Sequence, residues 1–170
     1  MGEHIGFAEY VALRRDTWVR AACLLTGDPH SAEDLVQTAL VRVWPHWQRV
    51  VAQGDPDAYV RAVLMNTFLK SLRGRRWREV TMDAQQIVLS SSGTPTPSGS
   101  DDVEERLHFL HILRELAPRQ RAVLVLRYYL DLSEAETANA LGCSIGTVKS
   151  QASRGVTRLR SHFKASEECQ

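Results

Sequence analysis

Residues 132–160 read LSEAETANALGCSIGTVKSQASRGVTRLR, and the spacing within this stretch decides the fold. Ser133 stands three residues before Glu136, the pattern of a capping box at a helix start. Leu141-Gly142-Cys143 then puts a glycine where a left-handed residue closes a tight turn. Ser144 offers a second N-cap. Beyond it, Ile145, Val148, Ala152, Val156 and Leu159 recur as one apolar stripe. Gly146, Thr147, Ser150, Ser153 and Arg154 fall on the other side, flanked by Lys149 and Arg158. Two short helices joined by a tight turn make a helix-turn-helix. From Gly142 to Lys164 there are five basic residues and no acid. Small polar side chains let a helix approach a groove closely, Thr and Ser bond phosphates or base edges, and Arg forks onto guanine. Thr147, Lys149, Ser150, Ser153 and Arg154 are therefore the candidate DNA contacts of this half. A plain helical hairpin with a hydrated face would share the stripe, but not the agreement of turn, cap and charge.

Upstream, residues 90–100 read SSSGTPTPSGS, a run with no apolar side chain to bury. Acids at Asp101, Asp102, Glu104 and Glu105 follow it and suit the first turn of a helix. The expected organisation is a first domain over 1–80, a flexible linker over 81–101, a second domain over 102–165 and a tail over 166–170. Both domains read as all-α. VLVLRYYL at 123–130 is ambiguous by composition, but Pro118 ahead of it favours a helix.

In the first domain, Phe7, Val11, Trp18, Ala22 and Leu25 recur at helical spacing, and Thr26-Gly27-Asp28-Pro29 ends that segment. Ser31, with Asp34 three residues on, is the expected N-cap of the next helix, whose stripe is Leu35, Ala39, Leu40, Val43 and Trp47. Gly54-Asp55-Pro56 breaks the chain again, and a third helix is expected from about Asp57 to Arg73. Its apolar side is Val60, Leu64, Met65, Phe68, Leu69 and Leu72. Asn66, Lys70 and Arg73 lie opposite, with Tyr59 in the same arc, and Trp77 too if the helix continues past Gly74. From Lys70 to Arg78 there are five basic residues and no acid. A basic helix end has a structural explanation in the helix dipole. The mixture of an amide, cations and aromatics adds another, since cations hold phosphates, aromatics stack on unpaired bases and an amide reads a base edge.

The formal net charge of +1 is low for a stand-alone DNA binder. Three dispersed cysteines without a C-x-x-C argue against a disulfide framework or a zinc site. No apolar stretch approaches a membrane span, and the N-terminus lacks a signal-peptide core, so a cytoplasmic protein is expected. No P-loop, G-x-S-x-G or H-E-x-x-H motif supports an enzyme. His108 and His111 could share a metal, but nothing near them in sequence completes a site. No cofactor is expected.

With both halves placed, residues 5–163 resemble the two-domain, extracytoplasmic-function (ECF) sigma factors of bacterial RNA polymerase. SAEDLVQTALVRVW resembles the family's polymerase-binding helix, and PDAYVRAVLMNTFLKSLRGRRW its −10 element helix. Residues 113–160, with PRQRAVLVLRY and GTVKS, resemble its −35 recognition domain. Tyr59, Asn66-Thr67 and Gln37-Thr38-Ala39 resemble an actinobacterial subgroup.

The resemblance implies that Asp34, Leu35, Gln37, Thr38, Val41 and Arg42 lie at or near a contact with the clamp helices of core RNA polymerase. Asp34, Gln37 and Val41 do fall away from the apolar stripe, whereas Leu35 lies on it. It implies that Asn66, Lys70, Arg73, Arg75, Arg76 and Trp77 open the −10 element and hold a flipped base, and that the helix-turn-helix reads −35 DNA. An anti-sigma factor is a partner typical of the family, and the free chain is expected to be a monomer. Two segments depart from the family pattern. Gln37-Thr38-Ala39-Leu40 stands where Gln-Glu-Thr-Phe is usual, and Gln151-Ala152-Ser153-Arg154 where many members have Arg-Leu-His-Arg. Weak DNA binding by the isolated chain fits the low net charge. The rivals are a dimeric stand-alone helix-turn-helix regulator and an adaptor with no DNA role.

Overall fold

A computed structural model describes the backbone of residues 6–81 and 108–167 and the side chains of 6–72 and 108–163. The described residues form helices and no strand. Helix α1 spans Phe7–Thr26 and buries Tyr10, Trp18, Ala21, Ala22 and Leu25. Gly27, at φ 72°, turns the chain at its end, and its N–H bonds the Cys23 carbonyl at 2.7 Å.

Helix α2, Pro29–Val43, is capped by Asp28 and not by Ser31: the Asp28 carboxylate accepts from the Ser31 N–H at 2.7 Å. The proline explains the difference. Pro29 suits the first helical position, where no N–H is needed, so the helix starts three residues earlier than the Ser31 pattern suggests. Ala32, Leu35, Val36, Ala39 and Val43 are buried. Pro45 falls in a short 3-10 turn, Trp44–His46, which leads into α3, Trp47–Ala52. Helix α4 runs over Pro56–Thr81, continuing past Gly74, and so outlasts the expected end at Arg73. Its Val60, Leu64, Met65 and Phe68 are buried, while Leu69 and Leu72 are half-buried at the core's edge.

A polar chain fastens α1 to α4. Trp18 donates to the Tyr10 hydroxyl at 3.1 Å, and that hydroxyl donates to Asp57 at 2.7 Å. Arg14 closes on the same carboxylate. Burial, then the Asp57 carboxylate, pushes the Tyr10 phenol well above its ordinary range, so it remains a donor at any physiological pH.

In the second half, a described stretch of helix α5 covers 108–114. Helix α6, Pro118–Leu124, passes directly into a π-helical turn, Val125–Tyr129. The ambiguous 123–130 stretch is thus helical, but wound wider than α. Helix α7, Glu134–Leu141, carries the complete Ser133/Glu136 capping box, and Gly142 at φ 60° closes the turn. The box holds the Glu136 carboxyl below its ordinary range, because the Ser133 hydroxyl and N–H bond its charged form. Helix α8 spans Ile145–Glu167.

The two halves share one apolar core. Ala122, Val125, Leu126 and Leu132 pack into the cluster built by α1, α2 and α4. Leu24 of α1 packs against the second-half cluster of Leu113, Leu116 and Leu124. Arg121, only 8% exposed, donates from α6 to the Leu25 carbonyl at the end of α1.

Candidate nucleic-acid interface

The outward face of α8 is set from beneath by Val148, fully buried against Val123 and Ala138. Ser144 accepts from the Thr147 N–H at 3.1 Å, capping the helix, and its hydroxyl also meets the Thr147 hydroxyl at 2.9 Å. Ser150 bonds back to the Thr147 carbonyl at 3.0 Å. Lys149, Ser150, Ser153 and Arg154 are exposed, and Thr147 is half-buried. Lys149 reaches the Glu134 carboxylate of α7 at 3.5 Å, an exposed pair that solvent screens and a phosphate could displace. Ile145 does not join the buried stripe: it is 44% exposed at the first position of the helix.

On α4, Asn66 and Lys70 are exposed on the side opposite Leu64 and Phe68. Between them Thr67 is buried; its hydroxyl donates to the Val63 carbonyl at 2.7 Å. Tyr59, seven residues before Asn66, is half-buried and packed against the core's edge, whereas Asn66 is exposed. Arg73, Arg75, Arg76 and Trp77 lie on the helical backbone of α4, with side chains outside the described residues.

On α2, Asp34, Gln37, Thr38, Val41 and Arg42 are exposed. Leu35 is 7% exposed and packs inward with Ala39 and Val43, because it shares their stripe at i, i+4. Trp44, unremarked in the sequence, is 60% exposed three residues beyond the 72%-exposed Val41. An apolar pair at i, i+3 running past the end of the inward stripe is the signal that finds it. Asp34 stands near His30, at 3.8 Å, both well exposed.

Two helices of different halves therefore each present polar and cationic groups outward, and Val41 of α2 with Trp44 of the following turn forms an exposed apolar pair. No cluster of His, Cys, Asp and Glu fit to hold a metal occurs among the described residues. Residues 10–78 match the sigma-70 region 2 family, and residues 106–159 match sigma-70 region 4. The chain is 40% identical over 165 residues to the RNA polymerase sigma-E factor of Streptomyces coelicolor, covering 97% of this chain and 90% of that protein.

The chain belongs to the ECF sigma factors of the sigma-70 family.

Another relative is the ECF RNA polymerase sigma factor SigL of Mycobacterium tuberculosis, 37% identical over 145 residues, 83% of this chain and 79% of that protein. Both relatives are actinobacterial, as the Tyr59 and Asn66-Thr67 features suggested. Among solved structures, the sigma factor RpoE of Bartonella quintana, in complex with the anti-sigma factor NepR, aligns with a TM-score of 0.72 and 26% identity, covering 93% of this chain and 96% of that one. As a sigma factor, the protein is a non-enzymatic transcription initiation factor, and its two regions are the two halves of the helical fold. Among the described residues no helix is long and apolar enough to cross a membrane.

Proposed function

We propose that this sigma factor docks on the clamp helices of core RNA polymerase through α2, opens the −10 element with α4 and reads the −35 element with α8. The observation that carries this is the exposure of Asn66 and Lys70 on one helix and Lys149, Ser150, Ser153 and Arg154 on another, each above a buried apolar side. Asp34, Gln37, Thr38, Val41 and Arg42 supply the polymerase contact, joined by Trp44; Leu35 supports them from inside. Val41 and Trp44 give that contact an apolar centre with a polar rim, the usual anatomy of a protein interface. Arg73, Arg75, Arg76 and Trp77 extend the −10 surface along α4.

In this reading the chain divides into domains over 1–80 and 102–165 with a linker over 81–101; family matches over 10–78 and 106–159 and the Ser/Gly/Thr/Pro run between them support it. The partners are core polymerase and promoter DNA, with an anti-sigma factor as regulator, as for the sigma factor solved with NepR. The protein works in the cytoplasm, where core polymerase is.

Run-off transcription with purified core enzyme, followed by start-site mapping, tests the proposal. Core enzyme plus this chain should initiate at a defined set of promoters that core alone ignores. Tight, salt-resistant operator binding by a dimer without polymerase would instead establish the stand-alone regulator.

A further inference from the structure

Where the two halves meet, a cleft of about 530 Å³ opens between α2 and α4 on one side and the α5–α6 segment on the other. Its size lies in the range of small-molecule sites. Four cations line it: Arg42 and Lys70 from the first half, Arg114 and Arg121 from the second. One acid, Asp34, stands against them.

Arg121 is the unusual member. It is 8% exposed, yet its acceptors are all neutral carbonyls: Leu25 at 2.5 Å, Arg114 at 3.1 Å and Leu116 at 3.2 Å. Its Nε–H has no acceptor among the described residues, and no ion pair there includes it. A buried charge with only neutral partners is costly, and an unfilled donor adds to the cost. Burial, then the nearby Arg114, pushes the Arg121 guanidinium below its ordinary range, but a guanidinium stays charged at neutral pH. Arg42, Lys70 and Arg114 likewise form no ion pair among the described residues.

We infer that this cleft is a binding site for a compact polyphosphate anion, which bridges the two halves by taking charge-assisted hydrogen bonds from Lys70 and Arg42 on one side and Arg114 and Arg121 on the other. Planar guanidinium forks suit phosphate oxygens, and Thr38 adds a neutral hydroxyl donor at the wall. Lys70 also belongs to the proposed −10 surface, so ligand and −10 DNA would compete for it. Because Asp34, Thr38 and Arg42 also belong to the proposed polymerase contact, ligand and polymerase would compete for α2.

Calorimetric titration of the full chain with sodium tripolyphosphate, at constant ionic strength and without DNA or polymerase, tests the site apart from the sigma-factor assignment. One equivalent should bind. Lys70→Ala and Arg114→Ala, one in each half, should each weaken binding at least fivefold. Arg160→Ala, exposed on α8 and outside the cleft, should leave it unchanged. Arg121→Lys should weaken binding while the circular dichroism spectrum stays that of the parent. The inference is overturned if the heats match those of sodium chloride at equal ionic strength, or if Arg114→Ala binds as tightly as the parent. It is equally overturned if an oligoglutamate peptide binds in the cleft and tripolyphosphate does not.

Discussion

The guanidinium of Arg42 on α2 donates to the hydroxyl of Thr67 on α4 at 2.9 Å, and Thr67 is the immediate neighbour of Asn66. The proposed polymerase contact and the proposed −10 surface are therefore joined by one hydrogen bond. The Arg42 side chain is exposed, so its direction depends on this anchor. Thr67→Val keeps the shape and removes the acceptor. A hydrogen bond to a charged donor contributes about 1.5–3 kcal/mol when fully formed and less at the surface. Affinity for core polymerase should fall roughly three- to tenfold in Thr67→Val, and further in Arg42→Ala. Fluorescence anisotropy with labelled sigma factor measures both. Equal affinities for all three proteins would show that Arg42 takes no part in docking.

The Asp28 cap makes stability pH-dependent. The Ser31 N–H bonds its charged form, so the folded-state pKa lies below the ordinary carboxylate value. A depressed folded pKa means that the contribution is complete above the unfolded value of about 3.9 and is lost as pH falls through the folded one. Asp28→Ala should cost about 1 kcal/mol at neutral pH, and Asp28→Asn much less, because Asn also caps. Urea unfolding between pH 3 and 7 should show a smaller acid loss in Asp28→Ala than in the parent. Parallel curves would mean that the cap contributes nothing.

Gly155 sits inside α8, where sequence reasoning assigns glycine a cost of about 1 kcal/mol relative to Ala. The packing reverses that expectation. A Cβ there would lie 3.0 Å from Leu124 Cδ1 and 3.2 Å from its Cγ, and Leu124 is itself buried against Leu113 and Leu116. Overpacking a held core costs about 1–3 kcal/mol, enough to cancel or exceed the gain in propensity. Gly155→Ala should lower Tm, whereas in a Leu124→Ala background the same change should raise it. A higher Tm in the parent background would show that Leu124 gives way.

How much of this was legible follows from what each feature depends on. The capping box, the Gly142 turn and the buried Val148 depend on residues three or four apart, and the sequence displays them directly. The Asp28 cap was misassigned because Ser31 and Pro29 offer competing local starts, and proline outweighs serine. The packing of Tyr59 against the core's edge is not legible, because a helical wheel gives direction but not how far a large ring reaches the core. The π turn leaves no periodic trace in five residues. The docking of the halves is not local at all: Arg121 and Leu25 are 96 residues apart, and nothing near either one announces the other.

That docking is incompatible with the proposed reading of both promoter elements at once. The −10 and −35 elements are centred about 25 base pairs apart, roughly 85 Å at ~3.4 Å per pair. A compact chain of this length has a radius of gyration near ~15 Å and a width of about 40 Å. The shared core of Leu126, Val125 and the α1–α4 cluster must therefore part before α4 and α8 can occupy both elements. Dyes placed on the two halves should show high energy transfer in the free protein and a fall when core polymerase is added. Gly27→Ala should lower transfer without polymerase, because its Cβ would lie 2.2 Å from Arg114 Cγ and because φ 72° disfavours a side chain. Adding Arg114→Ala should restore most of it, leaving only the backbone strain. Energy transfer that stays high in a transcribing complex would mean that the two helices never read both elements at once.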